Sequence, residues 1–297
     1  MTKTTTIRPR RSALYMPGSN ARALDKARSL DVDALILDLE DAVAPDAKEM
    51  ARDQVREAVA AGGYGHRELV IRVNGLATPW GAGDLEMAIA ARPDAILLPK
   101  VSSPADLDRA AHSLNAARVP ASTRIWAMME TPLAMLNAGA IAAAAGNPET
   151  RLACFVMGTN DLAKETRAAL VPGRAPMRPW LATCLAAARA HGIDILDGVW
   201  NHLDDLEGLA AECREGAEMG MDGKTLIHPR QIEACNAAFT PADADIAWAR
   251  RIIAEFEKPE NAAKGAIQVE GRMVERLHAE MGARLVAIAD AITARRS

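Results

Sequence analysis

Residues 34–60 read ALILDLEDAVAPDAKEMARDQVREAVA: a short apolar run of strand length, a cluster of acids at its end, then a longer stretch with helical spacing. That order, strand then polar turn then helix, is the unit from which parallel β/α folds are built. Outward from it, the same alternation runs through most of the chain. Strand-length runs occur at Ala13–Met16, Ala34–Leu39, Leu69–Val73, Ala95–Leu98, Ile125–Met129, Ala153–Met157, Ile193–Leu196 and Thr225–Ile227. Between them lie Ala-rich stretches of helical periodicity, among them Ala47–Ala60, Pro132–Ala145, Trp180–His191, Asp205–Met219 and Arg230–Phe239. Several start with Pro or an acid, as the first turn of a helix favours. Eight such units in about 240 residues fit a closed (β/α)8 TIM barrel better than an open doubly wound sheet, and no Gly-x-Gly-x-x-Gly follows the first run. The expectation is a catalytic barrel over residues 1–240 and a C-terminal helical extension over 241–297. The extension comprises a helix over Ala242–Glu257, a Gly- and Lys-containing break around Asn261–Gly271, and a final helix. It either covers the barrel flank or reaches a neighbouring subunit.

The bulk numbers agree. With 297 residues, 49% of them hydrophobic, the chain can bury one sizeable core. Lys plus Arg is 35 against 39 for Asp plus Glu, a net charge of -4, so no basic surplus is present to hold nucleic acid. Cys154, Cys184, Cys213 and Cys235 form no Cys-x-x-Cys pair and read as reduced, buried thiols. The Thr- and Arg-rich start, Met1–Arg11, is followed by no apolar stretch of signal-peptide length, and no segment reaches the roughly 18 apolar residues that span a bilayer. The expectation is a cytoplasmic enzyme without a membrane partner, a short transit peptide being the alternative.

In such a barrel the chemistry sits where strands end. The second run ends in Asp38, Glu40 and Asp41, the third in Arg72 and Asn74, the fourth in Lys100, the fifth in Glu130, the sixth in Asn160 and Asp161, the seventh in Asp197 and the eighth in His228. Most of these should converge on one mouth. Glu130 and Asp161, two carboxylates from different strands with no Cys or paired His nearby, suit Mg²⁺ with waters retained; the alternative is pairing with Arg or Lys around the rim. Arg72 offers a planar fork to a carboxylate or to an oxygen gaining charge, or else a salt bridge to Glu40 or Asp41. Glu40 and Asp41 would then hold Arg72 and metal-bound water in place. Gly158, Thr159 and Asn160 form a turn whose backbone N–H groups could receive a substrate carboxylate. His228 reads either as catalytic or as the anchor of a strand-to-helix turn. The loop Pro172–Pro179, with Arg174 and Arg178, reads as a lid, a phosphate contact or a solvated loop. No His-Glu-x-x-His or triad pattern supports hydrolysis by zinc.

The stretches RSALYMPGSN, ALILDLEDAVAPDAK, VIRVNGLATPW, AILLPKV, METP, GTNDLA, ILDGVW, MDGKTLIHPRQI and NAAFTP, in that order over residues 11–241, resemble the citrate lyase beta-subunit-like family. That family, in the 2-oxo acid aldolase/citrate lyase superfamily, includes malyl-CoA and citramalyl-CoA lyases. The resemblance implies a (β/α)8 barrel in homotrimers or homohexamers. It implies a Mg²⁺-dependent (or Mn²⁺-dependent) carbon–carbon lyase that cleaves or forms a 3-hydroxyacyl-CoA, with coenzyme A as part of the substrate and an acyl-CoA and a 2-oxo acid as products. By the same resemblance Glu130 and Asp161 match the metal ligands, Arg72 the arginine that stabilises oxygen charge, and Glu40 and Asp41 its supporting acids. One position departs. Where the family commonly carries Asp followed by Pro near the C-terminus, GRMVERLH places Glu275 without the proline. A malyl-CoA-type thioesterase on the same scaffold and an accessory subunit acting on a carrier-protein thioester are the competing expectations. A Schiff-base role for Lys100 would need a desolvated amine, which a polar mouth does not provide.

Overall fold

The computed structural model describes residues 7–295. Eight parallel strands follow in chain order: β1 (Ser12–Pro17), β2 (Ala34–Asp38), β3 (Glu68–Arg72), β4 (Ala95–Leu98), β5 (Arg124–Met129), β6 (Leu152–Met157), β7 (Asp194–Asp197) and β8 (Gly223–Leu226). Each pairs with the next, and β8 returns to β1 to close the barrel. Every expected run overlaps its strand. The runs are apolar without alternation because both faces of each strand are covered, one by the barrel interior and one by helices. In β2, Ala34 and Ile36 join Ala13, Val70, Ala95, Leu97, Trp126 and Met128 inside, while Leu35 and Leu37 pack outward with Leu14, Ile71 and Ile96. Three of the inward residues are alanines, and the room they leave is taken by the fully buried Trp126. Truncating an outward leucine such as Leu37 to Ala would cost about 3 kcal/mol through lost burial and the cavity left behind.

The helices sit close to expectation, at Lys48–Ala61, Pro132–Ala143, Arg178–Ala190, Leu206–Met219 and Ile232–Phe239. Thr131 caps the second of these by accepting from Ala134 N, and Asp205 caps the fourth by accepting from Gly208 N.

The described residues divide into two compact units, Arg10–Phe239 and a second made of residues 7–9 and 240–295. The second holds a helix, Asp243–Glu257, an antiparallel hairpin of β9 (Ala266–Val269) and β10 (Arg272–Glu275), and a last helix, Arg276–Ala294. The hairpin occupies what the sequence suggests is an irregular break. Its two-residue turn, Glu270–Gly271, has φ of +48° and +79°, the double positive φ that suits the twist of a tight hairpin. Ile252, Phe256, Ile267, Val269 and Val274 form a small core of its own. Among the described residues no helix is long and apolar enough to cross a membrane.

Candidate active site at the C-terminal end of the barrel

Arg72, the last residue of β3, is buried and aligned by Asp38 at the end of the neighbouring β2: Nε donates to Oδ1 and Nη2 to Oδ2, both at 2.6 Å. This bidentate pairing fixes the plane of the guanidinium. Below it lies the Tyr15 ring, 4.7 Å from Cζ. The remaining nitrogen, Nη1, faces outward, 2.9 Å from Glu40 Oε2 and 3.4 Å from Asp41 Oδ2. Arg72 therefore spends its fork on Asp38 and offers one edge to the mouth. Asp38 in turn accepts from the backbone N–H of Glu40 and of Ala42, which ties the acidic loop to the strand that carries it.

That loop is held from behind by Lys48, whose buried ammonium donates to Leu39 O, Glu40 O and Asn74 Oδ1 at 2.6–2.9 Å. Burial pushes the Lys48 ammonium below its ordinary value, against the pull of Asp38 and Glu40. Asn74 completes the brace through Leu39 O and Asp84. Neither Lys48 nor Tyr15 stands out in the sequence. Lys48 looks like an exposed residue of a helix start, and Tyr15 like strand packing.

Across the mouth, Glu130 directly follows β5 and is almost fully buried, with Oε1 accepting from Lys100 N at 2.7 Å. No cationic side chain forms an ion pair with it among the described residues. Burial first, then the charge of Glu40, pushes its carboxyl up to about 8; Asp161 adds to this. Glu40 is pushed up to about 7 by burial, which outweighs Arg72, and by Asp41 and Asp38. Gly158 has to be glycine because a Cβ there would stand 2.4 Å from both Cβ and Oε2 of Glu130. Asp161, in the first turn of the helix Thr159–Thr166, has Lys100 Nζ 3.9 Å from its Oδ1. For the Lys100 ammonium, desolvation is outweighed by Asp161 and Glu130, and its affinity for a proton rises. That is the opposite of what a Schiff-base lysine needs.

Three expectations need correction. The Gly158 N–H is already spent on Met129 O, so of the turn Gly158–Thr159–Asn160 only the second and third residues keep N–H groups at the helix start without an intrahelical acceptor. The Asn160 side chain is engaged in a reciprocal amide pair with Asn201, at 2.8 and 3.1 Å. Asp197 does not face the mouth. It is fully buried on the helix side of β7, where Arg174 Nη1 contacts both its oxygens at 2.7 Å and Lys224 Nζ lies at 3.2 Å. Arg174 is thus neither lid nor solvated loop but the buried partner of Asp197, with Glu212 and Glu215 on its Nε. His228 anchors a turn, its Nδ1 accepting from Arg230 N. Glu275 belongs to the C-terminal unit, is exposed, and caps the last helix with its N–H donated to His278 Nδ1 at 2.9 Å.

The mouth thus gathers Asp38, Glu40, Asp41, Glu130 and Asp161 around Arg72 and Lys100, with more negative than positive charge. The donor set has the chemistry of a hard divalent cation site: carboxylate oxygens only, two of the carboxyls raised first by burial and then by neighbouring acids. Among the described residues no group of three or more His, Cys, Asp or Glu is placed to hold a metal ion. Mg²⁺ is typically bound this way, through one or two carboxylates with the remaining positions left to water and substrate.

The sequence profile of the HpcH/HpaI aldolase/citrate lyase family matches residues 11–229, which is the barrel almost from end to end. The chain belongs to that family. As a member of the HpcH/HpaI aldolase/citrate lyase family it shares 51% identity over 289 residues with the (3S)-malyl-CoA thioesterase of Cereibacter sphaeroides strain KD131, covering 97% of this chain and 98% of that one. It shares 34% with the citrate lyase subunit beta of Leuconostoc mesenteroides, covering 91% and 89%. Among solved structures, the protein CitE of Mycobacterium tuberculosis in complex with magnesium, acetoacetate and coenzyme A superposes with a TM-score of 0.75 at 29% identity, covering 95% of this chain and 98% of that one. A citrate lyase from Burkholderia xenovorans superposes with a TM-score of 0.82 at 20% identity, which speaks for the family barrel alone.

Proposed function

We propose that this enzyme hydrolyses the thioester of a malyl-CoA-type 3-hydroxyacyl-CoA, with Mg²⁺ held by Glu130 and Asp161. The observation that carries this reading is the 51% identity to a (3S)-malyl-CoA thioesterase across nearly the whole of both chains. In hydrolysis the oxygen of water bonds to the thioester carbon, the C–S bond breaks, and the sulfur leaves as coenzyme A thiol after taking up a proton. Negative charge grows on the carbonyl oxygen, and the barrier falls where donors face it. Arg72 Nη1 is the fixed donor, kept in plane by Asp38. Glu40, raised by burial to about 7, is the carboxyl at this mouth suited to accept a proton from water. Lys48 holds the loop of Glu40 in position, and Asp41 stands beside the open edge of Arg72. Thr159 and Asn160 present backbone N–H groups at a helix start to the substrate carboxylate. Bound Mg²⁺ supplies Lewis-acid stabilisation of substrate oxygens.

The second reading is the carbon–carbon lyase, giving an acyl-CoA and a 2-oxo acid. It is supported by the family and by the citrate lyase subunits at 34% identity. The same Arg72 edge would then stabilise the oxygen of the departing 2-oxo acid. Glu275 bears on the choice, because it is longer by one methylene than the aspartate common in the family, and proton-transfer geometry tolerates little displacement.

The reading also includes assembly into homotrimers or homohexamers, with the C-terminal unit packing on a neighbouring copy. Exposed apolar side chains support it: Leu133 and Leu136 on the helix Pro132–Ala143, and Met273, Leu277 and Met281 flanking Glu275. Such side chains are costly to leave in water when grouped.

The test is product analysis after incubation with (3S)-malyl-CoA and Mg²⁺. Free coenzyme A with malate, and no acetyl-CoA, is the expected outcome. Acetyl-CoA with glyoxylate would replace hydrolysis by the lyase. Inertness towards the CoA ester with turnover of a carrier-protein thioester would make the chain a subunit of a larger lyase.

A further inference from the structure

Tyr15 stands at the floor of the mouth, on β1, and its ring carries the Arg72 guanidinium at 4.7 Å. Packing under an arginine accounts for the ring but not for the hydroxyl. Tyr15 is half-buried, and a phenol in such a place normally finds an oxygen or nitrogen partner. Here the one contact among the described residues is the Met128 thioether, with Oη 4.0 Å from Sδ. Sulfur of this kind is a weak acceptor. Phenylalanine would fill the same space and would avoid that poorly satisfied donor.

The position of Met128 explains where the hydroxyl points. The same sulfur lies 3.7 Å from Arg72 Nη1, the edge of the guanidinium that Asp38 leaves open. Two donors, a cationic one on β3 and a neutral one on β1, are therefore aimed at one spot, and the atom they share there is a soft, poorly accepting sulfur. An oxygen arriving at that spot would take a hydrogen bond from each, displacing the sulfur from Tyr15 and sharing Nη1 with Glu40 and Asp41. Burial raises the phenol well above its ordinary value, and Asp38 and Glu130 oppose Arg72 in the same direction, so Tyr15 remains a donor throughout the neutral range.

We infer that Tyr15 is a further substrate-contacting residue, its hydroxyl joining Arg72 Nη1 in donating to the charge-bearing oxygen of the bound thioester. The inference rests on the hydrolase reading for the identity of that oxygen. The pairing of the two donors stands on the geometry alone. Both hydrogen bonds strengthen as charge collects on the oxygen, so the hydroxyl contributes more to turnover than to binding.

Tyr15→Phe keeps the ring beneath Arg72 and removes only the hydroxyl. With malyl-CoA and Mg²⁺, kcat is expected to fall about 10- to 100-fold while KM changes less than about threefold, which is the pattern of a donor used mainly in the transition state. The melting temperature of the metal-free protein should stay at the wild-type value. A kcat within twofold of wild type would overturn the inference. So would an equal loss on Tyr15→Leu and Tyr15→Phe accompanied by a lowered melting temperature, which would assign the effect to packing. Should wild type leave malyl-CoA intact, the hydrolase reading fails by itself. The Tyr15 inference is then decided by calorimetric titration of the Mg²⁺-supplied protein with oxalate, whose charged oxygens call on the donors as a charge-bearing substrate oxygen does: weaker binding to Tyr15→Phe sustains it, and equal binding overturns it.

Discussion

Each end of the barrel holds an arginine among carboxylates, and the two ends are built to different purposes. At the N-terminal end Arg10 donates through Nε and Nη2 to both oxygens of Glu68, at 2.7 and 2.8 Å, and through Nη1 to Asp194, with its guanidinium 5.1 Å from the centre of the Trp126 ring. Every acid there has its cation, and these two keep the Arg10 guanidinium protonated despite its burial. At the C-terminal end Arg72 is aligned just as firmly by Asp38, yet Glu40 and Glu130 are raised to about 7 and about 8, first by burial and then by the neighbouring carboxylates, which Arg72 does not fully offset. A buried ion pair that is complete acts as a seal. One that is short of a cation is a site waiting for charge, and the cost of keeping it so is borne by the rest of the fold.

The sharpest way to break this contrast is Glu130→Gln. At the mouth it should lower Mg²⁺-dependent kcat/KM by at least about 10³-fold, measured as release of free coenzyme A, because a ligand to the cation is lost. Melting of the metal-free protein should be unchanged or higher, since a neutral amide relieves a buried charge. Arg72→Lys comes next. It keeps the charge but loses the planar fork to Asp38, and about a 10²-fold fall in kcat is expected with the protein still folded by circular dichroism. At the opposite end the ranking of effects reverses. Glu68→Ala leaves Arg10 buried beside Asp194 alone and should cost about 3 kcal/mol in urea denaturation, with kcat of the folded protein untouched. A Glu68→Ala enzyme that is stable but inactive would contradict the division into seal and site.

The smallest effect concerns the third cluster, Asp197 with Arg174 and Lys224. Burial would raise Asp197, but Lys224 and Arg174 outweigh it and hold the carboxyl below its ordinary value. A carboxyl lowered in the folded state adds stability above its unfolded value near 3.8, and that stability is lost as pH falls through the folded value. Denaturation midpoints of wild type should therefore drop on acidification below about pH 4. Those of Asp197→Asn should start lower and decline less over the same range. A parallel decline in the two proteins would show that Asp197 contributes nothing to acid sensitivity.

Much of this was legible in the sequence. The eight strand runs, their order and the polar residues at their ends are local signals, and Arg72, Glu40, Asp41, Glu130 and Asp161 come together where strand ends predict. The hairpin of the C-terminal unit was not legible, because Ala266–Val269 and Arg272–Glu275 are too short and too polar to register as strands. Lys48 and Tyr15 were missed for a different reason: what each does depends on atoms contributed by other strands.

The tripeptide Ile-Leu-Asp occurs twice at a strand end, at residues 36–38 and 195–197, and it divides what sequence can determine from what it cannot. In β2 Ile36 faces the barrel interior and Leu37 the helices, so Asp38 points into the mouth and meets Arg72. In β7 Ile195 faces the helices and Leu196 the interior, so Asp197 points away from the mouth to Arg174 and Lys224. The sequence by itself determined that both are strands, that both end in an acid, and that the chain closes a (β/α)8 barrel, because those follow from local run length and order. Which face each strand turns inward was decided by the stagger of neighbouring strands around the closed barrel. A shift of one residue in that stagger exchanges the two faces, and no local pattern in a run buried on both sides records it.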